Sequence, residues 1–412
     1  MARTVERKLQ GSKRGSPEPR TLNPEPSFRP GIETLLTSHR DWIAGQRVGL
    51  LSHPAAVGVL GFSSAQLLAQ DKHVRLRALF GPEHGYFGGA LAGQSVGSRK
   101  HPDWQIPVFS LYGRHRKPTP RMLREVDTIV FDLQDIAARP YTFVSTLRLL
   151  LEAAAEEGKR VIVADRPVPL PSCVDGPVMH PPFESFVAAL PIPMFHGMTP
   201  GEAALWMKRA LQLDVDLKVA PMRGYRRQPR RQPGWPPWIP PSPGIVSWET
   251  AECYSAMVFL EAFPGLDHGR GLGLPFQVFG APGLDGVALC RALNASHFPG
   301  AVWHPHVAPL PDAAGRPRLA TAVRLVVTDP GVFLPIAASV HMLHALQEVR
   351  GAARWWCQPR VRPDFFDKLY GTDRIRIALQ GGASPRDIAR SWQDDVRAFE
   401  PTRNAVLLYP SV

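Results

Sequence analysis

Between residues 46 and 222 the chain alternates short apolar runs with amphipathic stretches, and this order constrains its fold more than any other feature. "QRVGLLS" (46–52), "VRLRALF" (74–80), "DTIVFDLQD" (127–135), "RVIVADRP" (160–167) and "DLKVAPM" (216–222) read as strands. "STLRLLLEAAAEEG" (145–158) and "TPGEAALWMKRALQL" (199–213) read as helices, the first closed by Gly and the second opened by a Thr cap. Near-continuous Val, Ile and Leu in strands separated by helices predict an α/β fold with a Rossmann-like, mostly parallel sheet. The texture changes after the proline cluster "QPGWPPWIPPSPG". There "AVRLVVTD" (322–329), "ASVHMLHALQEV" (338–349) and one helix over "SPRDIARSWQDDVRAFE" (384–400) predict a smaller α/β C-terminal domain. The expected division is a basic, disordered tail over 1–30, a Rossmann-like domain over 31–240 and an ancillary domain over 241–412.

Composition narrows the partners. The net charge of +12 invites a nucleic-acid reading, but much of the excess sits in the first 30 residues and in "MRGYRRQPRRQPG". No RNP, zinc-finger or helix-turn-helix signature accompanies it, so no nucleic-acid partner is expected. The four cysteines, Cys173, Cys253, Cys290 and Cys357, are far apart and show no metal-ligand spacing, which predicts free thiols in a reducing compartment. The N-terminus lacks an apolar signal region, and no apolar run approaches 18 residues. The expectation is a cytoplasmic protein without a membrane partner.

Four successive strand candidates end in chemically capable residues: Ser52 and His53; Glu83 and His84; Asp132, Gln134 and Asp135; Asp165 and Arg166. In an open parallel sheet, ligands bind beyond the carboxyl ends of the strands, so these groups would converge on one carboxylate-rich rim. Each has a plainer reading. An acid ending a strand often caps a helix, and Asp132 could be a buried acid paired with Arg. Further candidates are Arg139 and Tyr141 in "ARPYTFVST", His196 and Glu202 in "FHGMTPGE", and Glu261 and Arg270 in "LEAFPGLDHGRG". Tyr141 and His196 could equally be packing residues. Neither the dinucleotide nor the P-loop fingerprint is present, and no G-x-S-x-G elbow appears. Paired carboxylates beside His suit glycoside hydrolysis or, with His53 and His84 as ligands, metal-dependent hydrolysis.

"GPEHGYFG", "FDLQDIAARPYTFVSTL", "ADRPVPL" with "DGPVM", "FHGMTPGEAA", "PSPG", "GRGLGLPFQVFGAP" and "FDKLYGTDRIRIAL" occur in that order from about Gly31 to near the C-terminus. Together they resemble the bacterial exo-β-N-acetylmuramidase family. The resemblance implies a Rossmann-like domain and a smaller α/β domain with a cleft between them. It also implies removal of terminal, non-reducing N-acetylmuramic acid from peptidoglycan fragments (muropeptides or disaccharides) without cofactor or metal. It makes Glu83 the catalytic carboxylate, with His84 orienting or tuning it. Asp135 ranks first as the second carboxylate, ahead of Asp132, Asp165 and Glu202. Asp132, Arg139, Tyr141, Asp165, Arg166, His196, Glu202, Glu261 and Arg270 become substrate-binding candidates. The chain departs from the family pattern at Gln94, Val168, Ala262 and Leu272, where an acid or hydrogen-bonding group is usual. Those losses leave open a descendant with an altered substrate, or one that binds amino-sugar glycans without turnover.

Overall fold

A computed structural model of the chain describes residues 28–312, 314–350 and 355–411. Strands run in chain order as β1 (Arg47–Ser52), β2 (Arg75–Gly81), β3 (Arg99–Lys100), β4 (Pro107–Ser110), β5 (Thr128–Asp132) and β6 (Arg160–Ala164). They continue as β7 (Asp175–Val178), β8 (Pro193–Phe195), β9 (Asp216–Ala220), β10 (Val278–Phe279), β11 (Ala301–Pro311) and β12 (Pro317–Val327). The large sheet has the order β3-β4-β2-β1-β5-β6-β9. All its neighbours are parallel except β3 against β4. From β1 the chain builds outward through β2 and β4, then returns to β1's other edge with β5, β6 and β9. That is the doubly wound Rossmann-like order, and its switch point lies between β1 and β5. The register sets Ser52 opposite Asp132 at that point.

Both faces of this sheet are covered, which explains strands apolar on every residue. Val48, Leu50, Val130 and Ile162 pack with Ile32, Leu35, Ala65 and Leu68 from the Gly31–Ser38 and Ser64–Gln70 helices. Leu51, Ile129, Phe131, Val161 and Val163 face the Phe143–Glu156 and Pro200–Ala210 helices. This second cluster continues through Tyr254 and Phe263 to Trp303, Leu343, Trp355 and Trp392. The C-terminal half, an antiparallel β10-β12-β11 sheet with helices, therefore shares its core with one face of the Rossmann-like half.

Two local expectations are corrected, and one strand lies where none was expected. Residues 1–27 of the expected tail lie outside the described residues, whereas Phe28 is buried in an aromatic cluster with Tyr225, Trp235 and Tyr409. The single helix expected over 384–400 is two, Pro385–Arg390 and Gln393–Asn404. They part where Trp392 turns inward and its indole N–H donates to Asp175 (3.1 Å). The strand β11 carries Pro305, Pro309 and Pro311, which mask it in the sequence pattern; as an edge strand it tolerates them.

Candidate active site

The segment "GPEHG" leaves β2 in a tight turn. A Cβ on Gly81 would sit 2.3 Å from the Tyr86 nitrogen, so only glycine fits. His84 (φ 71°) and Gly85 (φ 77°) are both left-handed. The imidazole Nδ1 of His84 bonds the Ala90 carbonyl at 2.9 Å, folding the 84–93 loop back on itself. The return brings the Gly93 N–H to Glu83 Oε1 (3.0 Å). Glu83 Oε2 accepts from the Thr142 hydroxyl at 2.8 Å. Thr142 occupies the N-cap position of the Phe143–Glu156 helix but makes no cap bond there. Its hydroxyl serves Glu83 instead, and the helix N-terminus favours a negative charge at that spot. Tyr112 lies near enough that burial followed by Glu83's charge pushes its phenol up to about 12. Glu83 is thus buried and met by donors alone.

Asp135 lies beyond the end of β5, 5% exposed. Its Oδ1 accepts the Ala137 N–H at 2.7 Å. Burial pushes its carboxyl up to about 7, against the pull of the Ala137 and Ile136 N–H groups. Tyr141 lies within reach of the charge of both acids. Its buried hydroxyl adjoins Ser242 without a well-formed hydrogen bond, and burial together with the charges of Asp135 and Glu83 raises its pKa far above the ordinary range. Tyr254 packs edge-on against Tyr141 at 5.7 Å and is raised in the same way, by burial and then Glu261. Glu261 is held by Arg270 at 2.5 Å, and burial raises its pKa while Arg270 opposes. Glu83's charge reaches Glu261 as well. Glu83, Asp135, Tyr141, Glu261 and Arg270 therefore form one constellation, joined by Tyr112, Thr142 and Tyr254. These last three gave no signal in the sequence, since tyrosine and threonine are common and their roles depend on contacts across the fold.

Most of the other rim residues are bonded internally. Asp132 is fully buried, paired with Arg166 and bonded by the Ser64 hydroxyl. Arg166 also donates to the Val57 carbonyl (3.0 Å). Asp165 accepts from Thr199, the Gly201 and Arg166 N–H groups and the Tyr409 hydroxyl. Glu202 closes the capping box with Thr199, pairs with Arg227 and accepts the Leu408 N–H. Arg139 spends its guanidinium on four carbonyls, Pro177, Ile192, Leu369 and Tyr370. Burial lowers its pKa to about 9. His196 is buried, with burial and then Arg403 lowering it to about 3. Asp132, Arg139, Asp165, Arg166 and Glu202 are thus engaged in internal hydrogen bonds and ion pairs, whereas His196 accepts the Met198 N–H on Nδ1 (3.2 Å) and keeps a buried Nε2 without a partner among the described residues.

His53 is equally committed: Nε2 accepts the Gln134 N–H at 2.9 Å and Nδ1 faces the Pro241 carbonyl at 3.3 Å. With its pKa lowered to about 3 by burial and then Arg166, the ring is neutral and protonated on Nδ1. Among the described residues, no group of three His, Cys, Asp or Glu side chains is placed to hold a metal ion. The four departures also find structural uses. Val168 and Ala262 are fully buried in the main apolar cluster, Leu272 packs on the Val278–Leu310 cluster, and Gln94 accepts the Leu91 N–H. No helix among the described residues is long and apolar enough to cross a membrane.

The chain matches known proteins over nearly its whole length. The family model "Exo-beta-N-acetylmuramidase NamZ, N-terminal" matches residues 48–249, and its C-terminal counterpart matches 252–409. The peptidoglycan β-N-acetylmuramidase NamZ of Bacillus subtilis (strain 168) is 34% identical over 386 residues, 93% of this chain and 92% of its own. Two solved DUF1343 family proteins from Bacteroides fragilis NCTC 9343 share the fold. One has TM-score 0.86 and 30% identity over 94% of this chain and all of its own. The other has TM-score 0.71 and 26% identity over 93% and 99%. The chain belongs to the exo-β-N-acetylmuramidase NamZ family of glycoside hydrolases.

Proposed function

We propose that the protein is an exo-acting β-N-acetylmuramidase that removes N-acetylmuramic acid from the non-reducing ends of peptidoglycan fragments. Glu83 and Asp135 carry the chemistry. The observation that supports this pairing is the contrast between two buried acids sharing Tyr141. Glu83 is surrounded by donors and so acts as an acceptor, suited to stabilise positive charge at the anomeric carbon, attack it or activate water. Asp135, raised to about 7, holds a proton to give to the leaving glycosidic oxygen. Tyr141, Tyr254 and the Glu261–Arg270 pair present neutral and charged hydrogen-bonding groups to the sugar. His84 acts as a positioning residue through the 84–93 loop. Residues 31–240 and 241–412 would then work as two domains supplying opposite walls of the cleft. The four cysteines are free thiols, which favours a reducing compartment and therefore wall fragments as substrates.

The exo-acting part is tested with a muramyl-terminated tetrasaccharide. The expected product is free N-acetylmuramic acid plus a trisaccharide. Internal cleavage to disaccharides would overturn it.

A further inference from the structure

His53 takes no part in the chemistry proposed above, yet three of its contacts lead to groups that do. Its ring is buried just past the end of β1, at the β1–β5 switch point. Nε2 accepts the Gln134 N–H at 2.9 Å, and Gln134 is the residue before Asp135. The proton on Nδ1 points to the Pro241 carbonyl at 3.3 Å, and Pro241 precedes Ser242, the neighbour of the Tyr141 hydroxyl. The ring meets Phe143 edge-on at 5.1 Å and 83°. Phe143 in turn packs on Tyr141 at 4.7 Å and follows Thr142, whose hydroxyl serves Glu83.

The loop that carries Asp135 is held at several points. Ala137 is left-handed (φ 59°), an uncommon conformation for a residue with a Cβ that persists only where its surroundings fix it. The Gln134 amide donates to the Asp135 carbonyl at 3.0 Å and to the Pro167 carbonyl at 2.7 Å. The His196 N–H holds the Ala137 carbonyl at 3.1 Å. At the head of the loop, the acceptor of the Gln134 N–H is His53 Nε2. Without an acceptor, a buried N–H draws in water or shifts the backbone. Either change would reach Asp135, whose carboxyl is raised by its burial. Tyr141 is its titratable neighbour, and Glu83's charge reaches the same phenol. Only a neutral ring can accept the N–H, and burial with the charges of Arg166 and His84 keeps His53 neutral.

We propose that His53 is a positioning residue for the acid: through the Gln134 N–H it holds Asp135 in place to protonate the leaving glycosidic oxygen, and through Phe143 and the 241–244 segment it seats Tyr141. The proposal rests on the muramidase reading above, with Asp135 as the acid. Two substitutions in the full-length protein separate the two ring nitrogens. His53→Gln keeps an acceptor within reach of the Gln134 N–H, whereas the shorter His53→Asn keeps an N–H for Pro241 and leaves Gln134 unmet. His53→Asn is expected to lose at least about tenfold in kcat on the muramyl-N-acetylglucosamine disaccharide, with KM changing less, and to keep most of its turnover of p-nitrophenyl β-N-acetylmuramide. Its alkaline limb on the disaccharide should move below about 7, because water at the loop returns Asp135 toward the ordinary carboxyl range. His53→Gln is expected to stay within about threefold of wild type with the limb in place. Equal losses on both substrates in a folded His53→Asn, or a wild-type profile, would overturn the proposal. Should His53→Asn unfold, His53→Gln decides: a limb kept near 7 with the disaccharide turned over upholds it, and equal losses on both substrates overturn it. Asp135→Asn tests the acid separately, since disaccharide turnover equal to wild type would remove that reading. Hydrogen exchange at the 134–137 amides then still reports the hold: faster exchange in His53→Asn than in wild type upholds it, and equal exchange overturns it.

Discussion

Acids at one sheet edge differ here in how they are engaged. Asp132 and Asp135 are three apart, yet Asp132 neutralises Arg166 while Asp135 carries a raised pKa beside Tyr141. Asp132→Ala leaves a buried guanidinium without its partner and is expected to cost about 3–5 kcal/mol in urea unfolding. Asp135→Asn is expected to fold and to lose about 10²–10⁴-fold in turnover of a disaccharide. The loss should be far smaller with a p-nitrophenyl leaving group, which needs little protonation; equal losses on both substrates would refute the acid role. Wild-type kcat/KM should fall as pH rises through about 7, where Asp135 gives up its proton. The same group has a stability signature. Its folded pKa lies above the unfolded one, so its contribution is full below about pH 4 and is lost as pH rises through about 7. Asp135→Asn should accordingly gain stability relative to wild type across that window. The sequence revealed where these acids lie, because strand ends are readable from apolar runs. It could not reveal which were occupied: Asp165 is bonded by Tyr409, 244 residues away, and Arg139 by the carbonyls of Leu369 and Tyr370.

At the scale of elements, the turn after β2 is the device that makes Glu83 usable. Gly81 admits the backbone of Tyr86, His84 and Gly85 reverse the chain, and the His84–Ala90 bond returns Gly93 to the carboxylate. Gly81→Ala should force the turn open. A loss of at least about tenfold in kcat is expected, with KM changing less, alongside about 1–3 kcal/mol of stability; unchanged kinetics would show that the turn does not position Glu83. This turn was legible because Pro and Gly bracket a polar pair after an apolar strand. Thr142 was not, since its backbone position suggests an ordinary helix cap and only the fold aims its hydroxyl at Glu83. The break at Trp392 was hidden for a similar reason. An unbroken helical pattern spans 384–400, and a tertiary bond from the indole to Asp175 interrupts it.

Across the whole molecule, the two halves meet in one apolar cluster and around one set of polar groups. Glu83 and Asp135 come from the Rossmann-like sheet, whereas Glu261 and Arg270 come from beyond the proline cluster. The alternation of strands and helices was enough to read the first half, because parallel strands buried on both faces leave an apolar run in the sequence. The second half is antiparallel, with a proline-bearing edge strand, and its pattern was weaker. A muramidase site built from both halves is tested most directly by release of p-nitrophenol by wild type and Glu83→Gln. The substrates are p-nitrophenyl β-N-acetylmuramide and p-nitrophenyl β-N-acetylglucosaminide. Turnover of the muramide alone is expected, reduced at least about 10²-fold by Glu83→Gln in a protein that still folds. Turnover of neither sugar by folded wild type, or an unimpaired Glu83→Gln, would contradict it.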